Sequence, residues 1–251
     1  MTKPLTGRIA IVTGAGRGVG RAIAGGLIDR GAKVIVADNG TSAAGEGADP
    51  TLARDAAATL GAGALAYPES VASPGAAQQL VDLAVRRLGG IDIVVNNAAI
   101  HREAPIAEAD PGDWDAVLRN NLSAAFYLIR AAAPRMRDRG DGGRWGRIVN
   151  ILPAGALDGG LARAATASAG AGLVALTRTA ALGLADSGIT VNAIAPQEQP
   201  DGDPSAIVRL VMGLCSSSTA DINGRLLGMR GGGFFQFDER RAGAPFSLEH
   251  V

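Results

Sequence analysis

Four glycines fall within the eight residues Thr13-Gly14-Ala15-Gly16-Arg17-Gly18-Val19-Gly20. Glycines at this spacing permit a tight turn, close approach of a pyrophosphate to the backbone, and close packing of a helix on a strand. The segment lies between a β-rich apolar run, Arg8 to Thr13, and a stretch with helical periodicity, Val19 to Arg30. Amides at a helix N-terminus would therefore face an anion. The strand–turn–helix setting is what gives such a motif its meaning. Gly14, Gly16, Arg17, Gly18, Val19 and Gly20 are the expected phosphate-side residues. Asp38 follows the second strand. A carboxylate there accepts hydrogen bonds from ribose hydroxyls and repels a 2′-phosphate, which predicts NAD over NADP. Arg17 pulls the other way, because a cation in the loop can greet an extra phosphate. His101 lies close after Asn96-Asn97-Ala98-Ala99, at the carboxyl end of the fourth strand. As a histidine it is a candidate base.

The elements that must position these groups alternate. Strands are read at 8–13, 33–37, 64–67, 91–95, 147–151, 190–194 and 225–229. Helices are read at 19–30, 51–60, 75–88, 113–137, 161–185 and 205–214, with Pro111 before the fourth. Residues 38–49 and 139–146 read as glycine-rich loops, and the tail from Gly231 onward as irregular. Strands separated by helices imply parallel pairing with right-handed crossovers. The expected fold is α/β: a Rossmann-type, doubly wound parallel sheet of about seven strands with helices on both faces. Its ligand site should lie at the carboxyl ends of the strands, where the strand order reverses. Residues 1–251 read as a single domain.

Twenty-four basic residues balance 24 acidic ones, so no basic excess points to nucleic acid. The single cysteine, Cys215, cannot form an internal disulfide and suits a reducing compartment. The apolar run near the N-terminus is too short for a signal core or a membrane span. The expectation is a soluble cytoplasmic protein that needs no metal to fold.

The motif Thr-Gly-x-x-x-Gly-x-Gly, followed by Asn96-Asn97-Ala98-Ala99, resembles the signature pair of the short-chain dehydrogenases, with Ala99 where that family usually has glycine. Trp114-Asp115 through Asn120-Asn121-Leu122 resembles the family's fourth crossover helix. Gly146 to Ile151 and Ile189 to Pro196 resemble its fifth and sixth strands. The resemblance runs to about Gly233. The loop after Asp38, then Glu69-Ser70-Val71, and the ending Asn223-Gly224 to Gly233-Phe234 with Glu239-Arg240 resemble the 3-hydroxyacyl-CoA dehydrogenase unit of multifunctional β-oxidation enzymes. The resemblance adds Glu69, Ser70, Asn97, Ala98 and Ala99 to the expected cofactor contacts.

It also implies a reaction, hydride transfer between nicotinamide and a carbinol carbon. In the family a Tyr exchanges the proton, a Lys four residues later lowers its pKa, a Ser thirteen residues before the Tyr holds the substrate oxygen, and an Asn in the preceding helix supports a water relay. A free Tyr has a pKa of about 10, and a base works best near ambient pH. Alignment through Asn150-Ile151 and Ala171-Gly172-Leu173 puts Pro153 at the Ser position, Thr166 at the Tyr position and Gly170 at the Lys position. Only Asn121 stands in its place. No shift of register helps, because the two tyrosines are Tyr67 and Tyr127 and no lysine follows Lys33. The stretch from Pro196 to Gly224, where the family carries a helical lid, is short, with 197–204 read as a polar turn.

Three readings follow. The first is a non-catalytic subunit that assembles, in a tetramer, with itself or with an active relative acting on a hydroxyacyl-CoA. The resemblance implies contacts through 113–137, 161–185 and 225–229. The second is an NAD-dependent oxidoreductase that uses His101 as base, with Arg102, Asp158 and Arg163 holding an acidic or thioester substrate. The third is an NAD-binding sensor.

Overall fold

A computed structural model of the chain describes residues 3–137, 145–157, 160–196, 203–230 and 233–237. Eight strands form one sheet in the order β3-β2-β1-β4-β5-β6-β7-β8. The first seven are β1 (Ile9–Thr13), β2 (Lys33–Ala37), β3 (Ala64–Tyr67), β4 (Ile93–Asn96), β5 (Gly146–Ile151), β6 (Ile189–Ile194) and β7 (Leu226–Arg230). These pair in parallel. β1, β4, β5 and β6 are buried along their whole length. That is why they read as continuous runs rich in Ile and Val, without polar alternation.

Order reverses between β1 and β4, and this places a cleft at their carboxyl ends. One face of the sheet is covered by α1 (Gly18–Asp29), α2 (Pro50–Leu60) and α7 (Ser205–Leu214), with Ile23, Leu27, Ala53 and Val211 in its core. The other face carries α3 (Pro74–Leu88), α5 (Ala124–Arg137) and α6 (Ala164–Leu184), with Leu80, Leu128, Met136 and Ala181 buried against the strands. Local grammar sets many of the boundaries. Ser73 caps α3 through Ala76 N, Pro74 follows it, and Gly89 closes the helix in the left-handed region. Asp49 caps α2, and Asp110 caps α4 (Pro111–Leu118) by accepting from Gly112 N and Asp113 N.

Three sequence expectations need correction. The long helix expected over 113–137 is α4, then a π turn over Arg119–Ser123, then α5. The helix expected from Leu161 begins at Ala164, because Ala162 sits at φ 69, which a right-handed helix cannot contain. The tail is not wholly irregular. β8 (Gly233–Gln236) pairs antiparallel with β7 and makes an eighth strand. Gly228 provides the room, since a Cβ there would come within 2.6 Å of the Phe235 ring. The Phe235 and Phe237 rings lie over it, tilted to each other with centroids 5.0 Å apart. The expected features at Asp158, Glu239 and Arg240, and most of 139–146 and 197–204, lie outside the described residues.

α6 and the turn after it span 24 residues, with an 18-residue window of mean hydropathy 1.2, long and apolar enough to cross a membrane. They serve as a crossover helix of the sheet, with Ala165, Ala169, Leu173 and Ala181 buried. At the opposite end from the cleft, Trp145 lies between the guanidiniums of Arg8 and Arg147, 4.3 and 4.4 Å from its ring. Arg8 pairs with the buried Asp92 carboxylate at 3.0 Å.

Candidate functional site

The cleft at the switch point has a volume of about 240 Å³. Gly14, Arg17, Asp38, Glu69, Ser70, Asn97, Ala98, Ala99 and His101 line it, as do Asn39, Thr41, Ser42, Ala43 and Asn120. Gly16, Gly18, Val19 and Gly20 are not among the residues that line it, and Val19 packs, partly buried, against the core. The glycine loop is as tight as its composition requires. Gly14 stands at φ 62 with Ala98 Cα 2.9 Å from where a Cβ would be. A Cβ on Gly20 would come within 2.1 Å of Gly14 O.

No side chain caps α1, so its first amides are left for the loop's contents. Asp38 braces the site from the side. Its Oδ2 accepts from Gly16 N at 2.9 Å and its Oδ1 from Gly40 N at 2.8 Å. Both oxygens keep a lone pair for ribose hydroxyls.

The Asn-Asn-Ala segment gives the cleft its second wall. Thr13 Oγ1 accepts from Asn97 N and Ala98 N, each at 3.0 Å. Asn97 Nδ2 donates to Thr13 O and Gly14 O. This amide locks the glycine loop to the end of β4 and is not free for a ligand. Beneath it, Asn96 Nδ2 donates to Asn150 Oδ1, and Asn150 Nδ2 donates to Thr177 Oγ1, both at 2.8 Å. The sequence reading misses this buried ladder, and the signal for it is three polar residues within otherwise apolar buried segments.

It also misses that residues 41–45 form a strap over the cleft. Arg17 donates to Thr41 O, His101 N to Ala43 O at 2.8 Å, and Arg102 Nε to Ala44 O at 2.9 Å. Arg17 is thereby turned onto the strap, and Arg102 also pairs with Asp113.

The residues expected around the reaction centre are placed differently. Asn121 is buried in the π turn, accepting from Ile100 N and donating to Ile100 O, each at 2.8 Å. Its side chain is spent on holding the β4–α4 connection. Pro153 is buried. Thr166 is 1% exposed, and its hydroxyl has no hydrogen-bond partner among the described residues. Gly170 is buried against Ala156, and a Cβ there would lie 2.4 Å from the Ala156 Cβ. None of the three lines the cleft.

Arg163 is engaged by Glu103 at 3.0 Å and lies over Gly155, while Ala104 N donates to Ala162 O at 3.0 Å. The pair Arg102 and Arg163, expected to hold substrate, instead makes contacts within the chain. Tyr67 offers no substitute base, because burial and then the Glu69 carboxylate push its hydroxyl above the usual 10.0. The adenosine-diphosphate end of a dinucleotide therefore fits the residues present. At the nicotinamide end, the positions expected to act, Pro153, Thr166 and Gly170, do not line the cleft.

The comparisons agree with this architecture. Residues 8–198 match the short chain dehydrogenase family. The chain is 37% identical over 249 residues to hydroxyacyl-CoA dehydrogenase ChsB1 of Mycobacterium tuberculosis, covering 90% of this chain and 78% of that protein. It is 32% identical over 251 residues to the 3-oxoacyl-[acyl-carrier-protein] reductase FabG of Vibrio cholerae, covering 91% and 98%. A crystal structure of a short chain dehydrogenase from Mycobacterium avium superposes with a TM-score of 0.85 at 32% identity, covering 98% of this chain and 90% of that one. The chain belongs to the short-chain dehydrogenase/reductase family, among relatives of oxidoreductase function. Within the family it lies near hydroxyacyl-CoA dehydrogenases.

Proposed function

We propose that this chain is a non-catalytic member of its family, a subunit that assembles with an active NAD-dependent dehydrogenase of a hydroxyacyl-CoA. The observation that carries the reading is the contact between Ala156 and Gly170. The volume in which the family's lysine would run is filled by the chain itself, with 2.4 Å between an added Cβ and the Ala156 methyl. Without that ammonium, and with a buried threonine in place of tyrosine, the family's own proton-transfer set is missing. Asp38 supports NAD as the family cofactor of the assembly. Exposure of Phe126 on α5 and Leu182 on α6, 46% and 84%, supports assembly through those helices.

The test is co-expression with an active hydroxyacyl-CoA dehydrogenase of the same host. The expected result is a stable complex by size-exclusion chromatography, and no NADH formation from hydroxyacyl-CoA by this chain alone. Turnover by the purified chain would overturn the non-catalytic reading, and failure to form a complex would overturn the pairing. One observation favours a second reading, an oxidoreductase with a relocated base: His101 lines the cleft. In that case His101→Ala abolishes a turnover that the parent chain possesses.

A further inference from the structure

The cleft at the switch point is lined from the glycine loop to the β4–α4 connection. Among the described residues, its lining ends at Asn120. The next cavity inward, between Asn96, Asn121, Ile151 and Leu173, measures about 10 Å³ and is large enough for one water at most. Beyond it Pro153, Ala156 and Thr166 are buried. The Glu103–Arg163 ion pair and the Ala104–Ala162 hydrogen bond tie the two loops that flank this end to each other.

The other end is built for a ligand. It has uncapped α1 amides behind a glycine turn, a braced carboxylate at Asp38, and a strap anchored at Thr41, Ala43 and Ala44.

We infer that the site recognises an adenosine 5′-diphosphate group as such, and that the nicotinamide half of a dinucleotide contributes nothing to binding. The ligand class is an adenine nucleoside diphosphate with free ribose hydroxyls, such as ADP or ADP-ribose. The helix N-terminus and glycine loop take the diphosphate. Asp38 takes the adenosine ribose hydroxyls and rejects any phosphate on them. The strap at Thr41 to Ala43 and the segment Glu69 to Val71 both line the cleft and are left for the base. Coenzyme A also carries an adenosine diphosphate, but its ribose 3′-phosphate would meet the same carboxylate. The site therefore disfavours coenzyme A, although a close relative acts on coenzyme A thioesters. This inference rests on the non-catalytic reading above, since an intact reaction centre would hold the nicotinamide end.

Calorimetric titration of the full chain with ADP, ADP-ribose, NADH, NADPH and coenzyme A tests it. The expected result is that ADP, ADP-ribose and NADH bind within about threefold of one another, while NADPH and coenzyme A bind at least about tenfold more weakly. Asp38→Ala should weaken ADP and NADH about equally while narrowing the gap to NADPH. NADH binding about tenfold or more tighter than ADP-ribose would overturn the inference, by showing that the nicotinamide end is held. Absence of saturable binding for all five would overturn it as well. Neither outcome touches the non-catalytic reading, which falls only to measured turnover.

Discussion

At the residue scale, substitution has left a polar remnant inside the fold. Thr166 keeps a hydroxyl that no described residue receives, at 1% exposure. An unsatisfied buried hydroxyl costs about 1–3 kcal/mol. Thr166→Val, nearly the same shape, should raise stability by about 1 kcal/mol in urea denaturation and leave nucleotide binding unchanged. A loss of stability would mean that the hydroxyl has a partner in solution.

The glycine loop and Asp38 are legible in the sequence because each depends on a side chain, or its absence, at one position. The strap is not legible, because its anchors are the carbonyls of Thr41, Ala43 and Ala44, which every residue carries. Arg17 reads as a phosphate ligand for the same reason, since its acceptor is a distant backbone atom.

At the element scale, the β4–α4 connection depends on one amide. Asn121 pairs with both the N–H and the C=O of Ile100, and it can do so because the π turn rotates it inward. Asn121→Ala would strand both backbone groups. It should cost about 1–3 kcal/mol by chemical denaturation, with amide exchange at Ile100 speeding up accordingly. An unchanged midpoint would deny Asn121 this role.

The π turn is hidden from periodicity analysis, because one extra residue barely disturbs the apolar spacing of so long a helix. The start of α6 is hidden too, since nothing in an Ala-Arg-Ala-Ala stretch announces the positive φ at Ala162. β8 reads as irregular because a glycine run precedes it, and its pairing is supplied by β7 and the open space over Gly228. The central strands are legible because full burial on two faces leaves no choice but continuous apolar runs.

At the scale of the whole molecule, the buried interior controls alkaline stability. Burial pushes the Cys215 thiol from 9.0 up to about 12, against a smaller opposing pull from Arg147. A proton held more tightly in the folded chain gives stability that is complete below about pH 9 and is lost as pH climbs toward 12. Tyr67 acts in the same direction. Urea denaturation at pH 10.5 should show about 2 kcal/mol less stability from the thiol than at pH 8, and Cys215→Ala should flatten that dependence. The same slope in both proteins would assign the effect elsewhere.

The contact between Ala156 and Gly170 also gives the chain a direction in time. A lysine arriving at 170 would collide with a methyl already in place. A glycine arriving at 156 would gain nothing until the lysine came. Each step back toward hydride chemistry is harmful or idle alone, and selection does not hold idle steps. On the non-catalytic reading proposed above, no single substitution reopens the route to hydride transfer, and room for novelty lies on the adenosine side.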